Sequence, residues 1–229
     1  MAVQSDYRYS LTVNGSSQFE VVRFVLKEHL STLFRLELDL ASFGAEPNFQ
    51  SLIDQPATLT FWQGDEAVRS VNGIVTALNQ GETGFTRTRY HMVIEPSLCR
   101  AGLQTDLRIF QQQDSQKIIE TLLSKNQVSQ SQFHLQTPYW TREYCVQYRE
   151  TDLNFIQRLA AEEGSYYYFE HTNNSHILHF SNSTTLSEKK GNLVYNAMPA
   201  GQRPEAAVWH WAYEEKLGTT LQTLRDYTF

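Results

Sequence analysis

Residues 34–40 alternate without a break, with Phe34, Leu36, Leu38 and Leu40 apolar and Arg35, Glu37 and Asp39 charged between them. A period of two sends successive side chains to opposite faces, so the segment is a half-buried strand whose apolar side chains must be covered by the rest of a sheet. The same period recurs on both sides of it. Tyr7, Tyr9, Leu11 and Val13 alternate with Arg8, Ser10 and Thr12. Asn14-Gly15 then suits the positive φ angles of a tight turn, and Phe19, Val21 and Val22 resume the pattern, which predicts a β-hairpin. Ala57, Leu59 and Phe61, residues 68–75 and residues 86–94 read as further strands. Turn-forming residues separate them at Gln63-Gly64-Asp65 and at Gln80-Gly81-Glu82-Thr83-Gly84. Short strands at this spacing predict a barrel or sandwich. Pro47-Asn48-Phe49-Gln50-Ser51-Leu52 reads as a single helical turn.

Near residue 105 the period changes. Ile118, Ile119, Leu122 and Leu123 recur at helical spacing between a cap at Asp114 and the polar Lys125-Asn126. Tyr144, Val146 and Tyr148 return to strand spacing. Thr151 then caps a helix carrying Leu153, Ile156, Leu159 and Ala160 on one stripe, stopped by Gly164. Tyr166-Tyr167-Tyr168-Phe169 and residues 177–180 make a hairpin across Thr172-Asn173-Asn174-Ser175. Residues 181–192 are polar and linker-like, and residues 199–204 add a second break. Val208-Trp209-His210-Trp211-Ala212-Tyr213 reads as a strand, and residues 217–229 as a hairpin arm without a visible partner.

The expectation is a mainly β fold with an α+β insertion. A first β-barrel domain spans 1–104 and an α+β subdomain 105–190. Residues 191–229 hold a linker and the start of a second β-barrel, cut short by the end of the chain.

Charge and cysteine content exclude several functions. Lys and Arg number 19 against 25 Asp and Glu, a net charge of −6, and the charges are interspersed. Nucleic acid is a poor partner, because phosphate binding needs a basic stripe. The start, Met1-Ala2-Val3-Gln4-Ser5-Asp6-Tyr7, lacks the basic segment and apolar run of a secretory leader. No stretch approaches the roughly 18 apolar residues of a membrane span, so no stable membrane anchor is expected. Cys99 and Cys145 have no disulfide-scaffold spacing, and a reducing compartment is the simpler reading.

Arg142-Glu143-Tyr144-Cys145-Val146-Gln147-Tyr148-Arg149-Glu150-Thr151-Asp152-Leu153-Asn154-Phe155-Ile156-Gln157-Arg158-Leu159-Ala160-Ala161-Glu162-Glu163-Gly164 resembles the signature segment of the valine-glycine repeat protein G family, VgrG. Arg108-Ile109-Phe110-Gln111, Gly73-Ile74-Val75 and Arg225-Asp226-Tyr227-Thr228-Phe229 extend the match in the family's order. After Gly164 the family has an aliphatic residue where Ser165 stands. The resemblance implies phage tail hub-like β-barrel domains and a structural, non-enzymatic role with no cofactor. It implies a homotrimer with two related barrels per subunit, whose ring of six seats on the hexameric tube of Hcp protein and joins it to a puncturing needle. It also implies effector or adaptor partners, and a protein that is cytoplasmic before firing and then exported. The signature positions, read as structural, are Arg108, Phe110, Arg142, Tyr144, Gln147, Tyr148, Glu150, Asp152, Phe155, Arg158, Leu159, Glu162, Glu163 and Gly164. The equivalent hub of a phage tail shares this fold and is the nearest alternative.

Chemical signals are sparse. Glu162-Glu163 stands at a helix C-terminus, where the macrodipole disfavours negative charge. Adjacent helical carboxylates cannot face each other across one sugar, so pairing with Arg142, Arg149 or Arg158 is expected rather than glycoside cleavage. His171, His176 and His179 form a short cluster, but His176 and His179 fall on opposite strand faces, and exposed hairpin histidines are expected rather than metal ligands. Cys145 reads as a buried structural thiol. Trp209, Trp211 and Tyr213 share one face and suit core packing, or else stacking on a neighbouring subunit or on the sugars bound by a carbohydrate-binding module. No Walker loop, dinucleotide fingerprint or Gly-x-Ser-x-Gly elbow is present.

Overall fold

The computed structural model describes residues 7–43, 47–186, 192–196, 207–218 and 223. The chain divides into two compact units, Ser5–Lys189 and a second formed by Met1–Gln4 with Lys190–Phe229.

The first unit begins with six strands, β1 (Tyr7–Val13), β2 (Glu20–Lys27), β3 (Arg35–Ser42), β4 (Pro56–Gln63), β5 (Glu66–Thr83) and β6 (Thr88–Glu95). They form one antiparallel sheet in the order β1-β4-β5-β6-β3-β2. The alternation at residues 34–40 becomes the inner wall, and Phe34, Leu36, Leu38 and Leu40 are all buried with Leu11, Leu59, Val71, Val75 and Met92. Register shifts at Val21/Arg23, Phe61/Trp62, Val75/Ala77 and Gln80/Thr83 sharpen the local twist, as bulges do, and the sheet curls into an open barrel. Its two edges meet through aromatic rings, with Tyr9 5.0 Å from Phe24 and Phe61 5.3 Å from Phe24.

The turn at Asn14-Gly15 forms, with φ of 47° and 76° and paired hydrogen bonds of 2.9 Å between Val13 and Ser16. The expected hairpin does not. β1 pairs with β4 and β2 with β3, so the two strands flanking the turn occupy opposite edges of the sheet. A two-residue turn reverses the chain locally, whereas the order of strands is decided by which apolar faces are buried together. A second difference lies in β5, whose ladder runs through Gln80-Gly81-Glu82 as far as Thr83. The reversal comes later, where Gly84 N–H donates to the Arg87 carbonyl at 2.8 Å. The helical turn expected near residue 50 is a 3-10 turn at Phe49–Ser51, capped by Asn48.

The α+β part follows a 3-10 turn at Ser97–Gly102. It comprises β7 (Thr105–Asp114), α1 (Ser115–Lys125), β8 (Ser131–His134), β9 (Thr141–Thr151), α2 (Asp152–Glu162), β10 (Tyr166–His171) and β11 (His176–Ser181). β7 and β9 form an antiparallel ribbon, and β10, β11 and β8 form a small mixed sheet. Both helices start as the caps predict, Asp114 accepting from Lys117 N–H at 2.8 Å and Thr151 from Asn154 N–H at 3.1 Å. α2 ends at Gly164, whose φ of +65° lets Ser165 N–H reach back to the Ala160 carbonyl at 2.7 Å. Ile118, Ile119, Leu122, Phe155, Ile156, Leu159, Tyr167, Leu178 and Phe180 make a second core, and Phe169 packs against both cores.

In the second unit Val194–Tyr195 (β12) pairs in parallel with Ala207–Val208 (β13). The strand expected over residues 208–213 stops at Val208, and Trp209, Trp211 and Tyr213 are exposed rather than packed in a core. A two-residue strand gives the alternating tryptophans no sheet face to lie against. Of the hairpin arm expected at residues 217–229, all but Leu217, Gly218 and Thr223 lie outside the described residues.

Candidate functional site

Most of the signature residues gather around α2 and clamp both of its ends. At the N-terminus Asp152 is buried, at 1% exposure, and four side chains surround it. Gln147 Nε2 and Asn126 Nδ2 each donate to it at 2.8 Å, while Lys125 Nζ lies at 3.2 Å and Arg108 at 3.6 Å. An acidic side chain in the first turn also complements the helix dipole. Gln147 is itself fully buried and donates to the Glu150 carbonyl at 3.1 Å. Asp106 bonds Arg108 and lies 3.3 Å from Lys125, which extends the network to β7.

At the C-terminus Arg142 forks, with Nη1 donating to Glu162 at 2.6 Å and Nη2 to Glu163 at 2.7 Å. Its Nε donates to Ser115 Oγ at 2.9 Å, and that hydroxyl donates to Glu163 at 2.6 Å, so β9, α1 and α2 are tied at one point. Arg158 donates to Glu162 at 3.0 Å, to Glu150 at 2.6 Å and to the Val146 carbonyl at 2.9 Å, and lies 4.9 Å over the Phe155 ring. Burial pushes the Glu162 carboxyl up, but the hydrogen bonds from Arg142 and Arg158 outweigh it and hold the group below its ordinary value. Two of the three expected arginines therefore engage these carboxylates. The third, Arg149, instead lies 5.4 Å over the Tyr148 ring, because its φ of 50° turns it off the strand.

Phe110 packs on Phe155 with ring centroids 5.8 Å apart, and Leu159 is fully buried. Tyr144 and Tyr148 point away from the helices. They share the outer face of the β7/β9 ribbon, where Leu107 stands opposite Tyr148, Ile109 opposite Val146 and Gln111 opposite Tyr144. Leu107, Ile109, Tyr144 and Tyr148 are each more than half exposed. Apart from Gln111 this face is apolar, with the Arg149 guanidinium lying over the Tyr148 ring at one end.

Sequence reasoning missed Ser115, Asn126 and Lys125 as partners of the signature. Ser115 carried a signal, since it stands at the same helical stripe as Ile118, Ile119 and Leu122, where a polar residue needs a buried partner. Ser165, the departure from the family pattern, is buried and hydrogen-bonded to the Tyr139 hydroxyl.

The histidines correct another expectation, because His171 and His179 side chains are only 8% and 5% exposed. They do not converge. His134 Nε2 lies 2.9 Å from His179 Nδ1, whereas His171 and His176 face the barrel. Among the described residues no three His, Cys, Asp or Glu side chains are arranged to hold a metal. Both cysteines are free, and Cys145 is buried as expected. Burial, with Glu95 nearby, pushes the Cys99 thiol up to about 11. A cleft of about 670 Å³ beside Cys99 is bordered by Arg35, Asp54, Glu95, Arg100 and Lys125. Its charges are already paired, Arg100 with Asp54 at 2.8 Å and Arg35 with Glu95 at 3.1 Å.

The arrangement ties β9, α1 and α2 together through paired charges at the end of the helix. A family model described as phage tail baseplate hub matches residues 27–229. The type VI secretion system spike protein VgrG2a of Pseudomonas aeruginosa is 38% identical over 229 residues, covering 99% of this chain and 27% of its own length. The chain thus spans about a quarter of that relative. The E. coli c3393 protein, described as a component of the type VI secretion system with structural similarity to the T4 tail proteins gp27 and gp5, superposes with a TM-score of 0.72. It is 24% identical, and the match covers 81% of this chain and 51% of that one. A 43 kDa tail protein of prophage MuSo2 from Shewanella oneidensis gives a TM-score of 0.56 at 12% identity, covering 83% and 57% of the two chains.

Proposed function

Because the chain belongs to the phage tail baseplate hub family, where it stands with the VgrG spike proteins of type VI secretion, we propose that it supplies the N-terminal hub portion of such a spike. Three copies assemble, each giving an open barrel from residues 1–104, an α+β part from 105–190 and the beginning of a second barrel from 191–229. The resulting ring seats on the hexameric Hcp tube and connects it to the needle, matching sixfold to threefold symmetry by geometry alone. The observation that supports this most is the largely apolar outer face of the β7/β9 ribbon, where Leu107, Ile109, Tyr144 and Tyr148 are exposed on a chain otherwise rich in interspersed charge. A sheet face of this kind is suited to burial against a neighbouring subunit. The clamps at the two ends of α2 fix the ribbon rigidly on the helices, so that a load passing through the interface reaches the whole unit. On this reading the protein waits in the cytoplasm, leaves when the machine fires, and carries effector or adaptor proteins with it.

Electron microscopy of the protein extended to its natural C-terminus tests the proposal. A threefold ring with a tapered needle is expected, and a globular monomer at micromolar concentration overturns it. The fold likeness to the Shewanella prophage tail protein favours a phage-type hub as the second reading. Co-sedimentation with assembled Hcp tubes, set against tubes of a phage tail protein, separates the two.

A further inference from the structure

The tip of the β10/β11 hairpin is held on the barrel by two histidines. His171 and His176 are the last cross-strand pair before the loop at Thr172-Asn173-Asn174-Ser175, and their rings lie 6.2 Å apart. Asn72 of β5, buried at 3% exposure, donates its backbone N–H to His171 Nδ1 at 3.1 Å. Its side-chain amide donates to the carbonyls of Thr172 at 2.7 Å and Ser175 at 3.0 Å. From the other side Ser97, at the start of the 3-10 turn, directs its N–H at His176 Nε2 from 3.4 Å, with its hydroxyl at 3.3 Å. Phe34 stands 4.9 Å from His171 and 5.9 Å from His176, and Phe169 stands 5.8 Å from His176.

A ring nitrogen that accepts from a backbone N–H carries no proton. His171 is therefore protonated at Nε2, 3.7 Å from Glu28 Oε1, and His176 at Nδ1. We propose that His176 is the trigger of an acid-operated latch, which holds the tip of the hairpin on the turn at Ser97 while its ring is neutral and releases it when the ring is protonated. Protonation of His176 sets its Nε2–H against the Ser97 N–H and places a cation in a site lined by Phe34 and Phe169.

The charged groups facing the pair from the elements around it are Glu28 at the end of β2 and Arg69 of β5, which donates to Glu28 at 2.9 Å. Among the described residues no carboxylate forms an ion pair with His176. Burial and the neighbouring His171 hold His176 down at about 4, with a backbone hydrogen bond to Asn72 acting in the opposite direction. Its undocked form takes up a proton near 6.5 and its docked form does not until about 4. Docking is therefore at full strength above pH 6.5 and is lost as the pH falls through that window, the opening equilibrium rising by on the order of 100-fold. Because Tyr167, Leu178 and Phe180 of the same hairpin belong to the second core, release loosens the wall between the two cores.

Hydrogen exchange of the Asn72 amide, corrected for intrinsic rate, reads the latch directly between pH 7.5 and 4.5. Protection is expected to fall at least tenfold in the parent chain and to stay level in the variant carrying His171→Gln and His176→Gln, whose amide oxygens accept without titrating. Unchanged protection in the parent, or an equal loss in both chains, overturns the proposal. Should the variant fail to fold, ring-proton NMR titration of the parent decides: loss of Asn72 protection tracking His176 protonation supports the latch, and His176 titrating near 6.5 with Asn72 still protected overturns it.

Discussion

Arg142 on β9 and Glu163 at the end of α2 are 21 residues apart in the chain, yet Arg142 Nη2 donates to Glu163 Oε1 at 2.7 Å. Ser115 of α1 bonds both of them, so the contact fixes three elements at once. Truncating Arg142 leaves two carboxylates at a helix C-terminus, where the dipole already disfavours them. Arg142→Ala is expected to destabilise the chain by about 1–3 kcal/mol. Urea unfolding should show a lower midpoint with an unchanged slope. In a double-mutant cycle with Glu163→Gln, strictly additive effects would mean that the contact carries no weight.

Glu162 gives a pH signature. Its carboxyl is held below the ordinary 4.5 by Arg142 and Arg158 against the effect of burial. A depressed acid contributes stability that is complete above its unfolded value and is lost as the pH falls through its folded one. The stability difference between the parent and Glu162→Gln should therefore be constant above about pH 5.5 and shrink below pH 4.5. Glu162 is 38% exposed, so solvent screening keeps the difference small, well under that of Arg142→Ala. Urea titrations at pH 7 and pH 4 measure it, and a difference that grew on acidification would reverse the assignment.

Most of the barrel was legible because its strands bury one face, and alternation reports that directly at Phe34, Leu36, Leu38 and Leu40. β7 was not read as a strand for the opposite reason, since its alternating Leu107 and Ile109 face outward while Arg108 and Phe110 turn toward the helices, so no single face of the segment reads as the buried one. Strand order could not be read at all. Asn14-Gly15 gives a turn, and nothing local says that β1 must leave β2 and join β4. The carboxylate clamp was legible as charge in the wrong place at a helix end, whereas the Asp152 network was hidden, because a helix-starting aspartate looks the same whether solvated or buried.

Gly73 marks a close approach of β5 to β6. A Cβ placed there would lie 2.5 Å from the Glu95 carbonyl oxygen and 2.6 Å from a methyl of Ile94, one of them backbone. Even one methyl forces the strands apart at the point where the sheet bends. Gly73→Ala is expected to cost about 1–3 kcal/mol, as overpacking does. Thermal unfolding should show a drop of several degrees, and an unchanged midpoint would mean that the sheet yields freely here.

Cys99 is expected to be a poor nucleophile. With its thiol pushed up to about 11, only on the order of 0.1% is thiolate at pH 8, against tens of per cent for an ordinary cysteine. Iodoacetamide should modify it roughly 100-fold more slowly than a free thiol in the folded chain and at the ordinary rate in urea. Mass spectrometry of the alkylated peptides reads both. Rapid labelling of the folded chain would show that the thiol is not shielded as the structure has it.

The ribbon face carries the assembly proposal and can be tested without disturbing the fold. Leu107 and Tyr148 stand opposite each other, exposed, on the side of the ribbon away from α1 and α2. Replacing either with glutamate puts a charge on an exposed position, next to Arg149 in the case of Tyr148, so the isolated unit should lose less than about 0.5 kcal/mol. In the assembled protein the same charge would be buried without a partner, and removing it from water costs far more than the lost apolar contact. Leu107→Glu and Tyr148→Glu are thus expected to leave thermal unfolding of the monomeric unit unchanged and to shift the natural-length protein from trimer to monomer in sedimentation. If both variants stay trimeric with undiminished stability, the ribbon faces solvent in the assembly and the threefold contact must be sought on another surface.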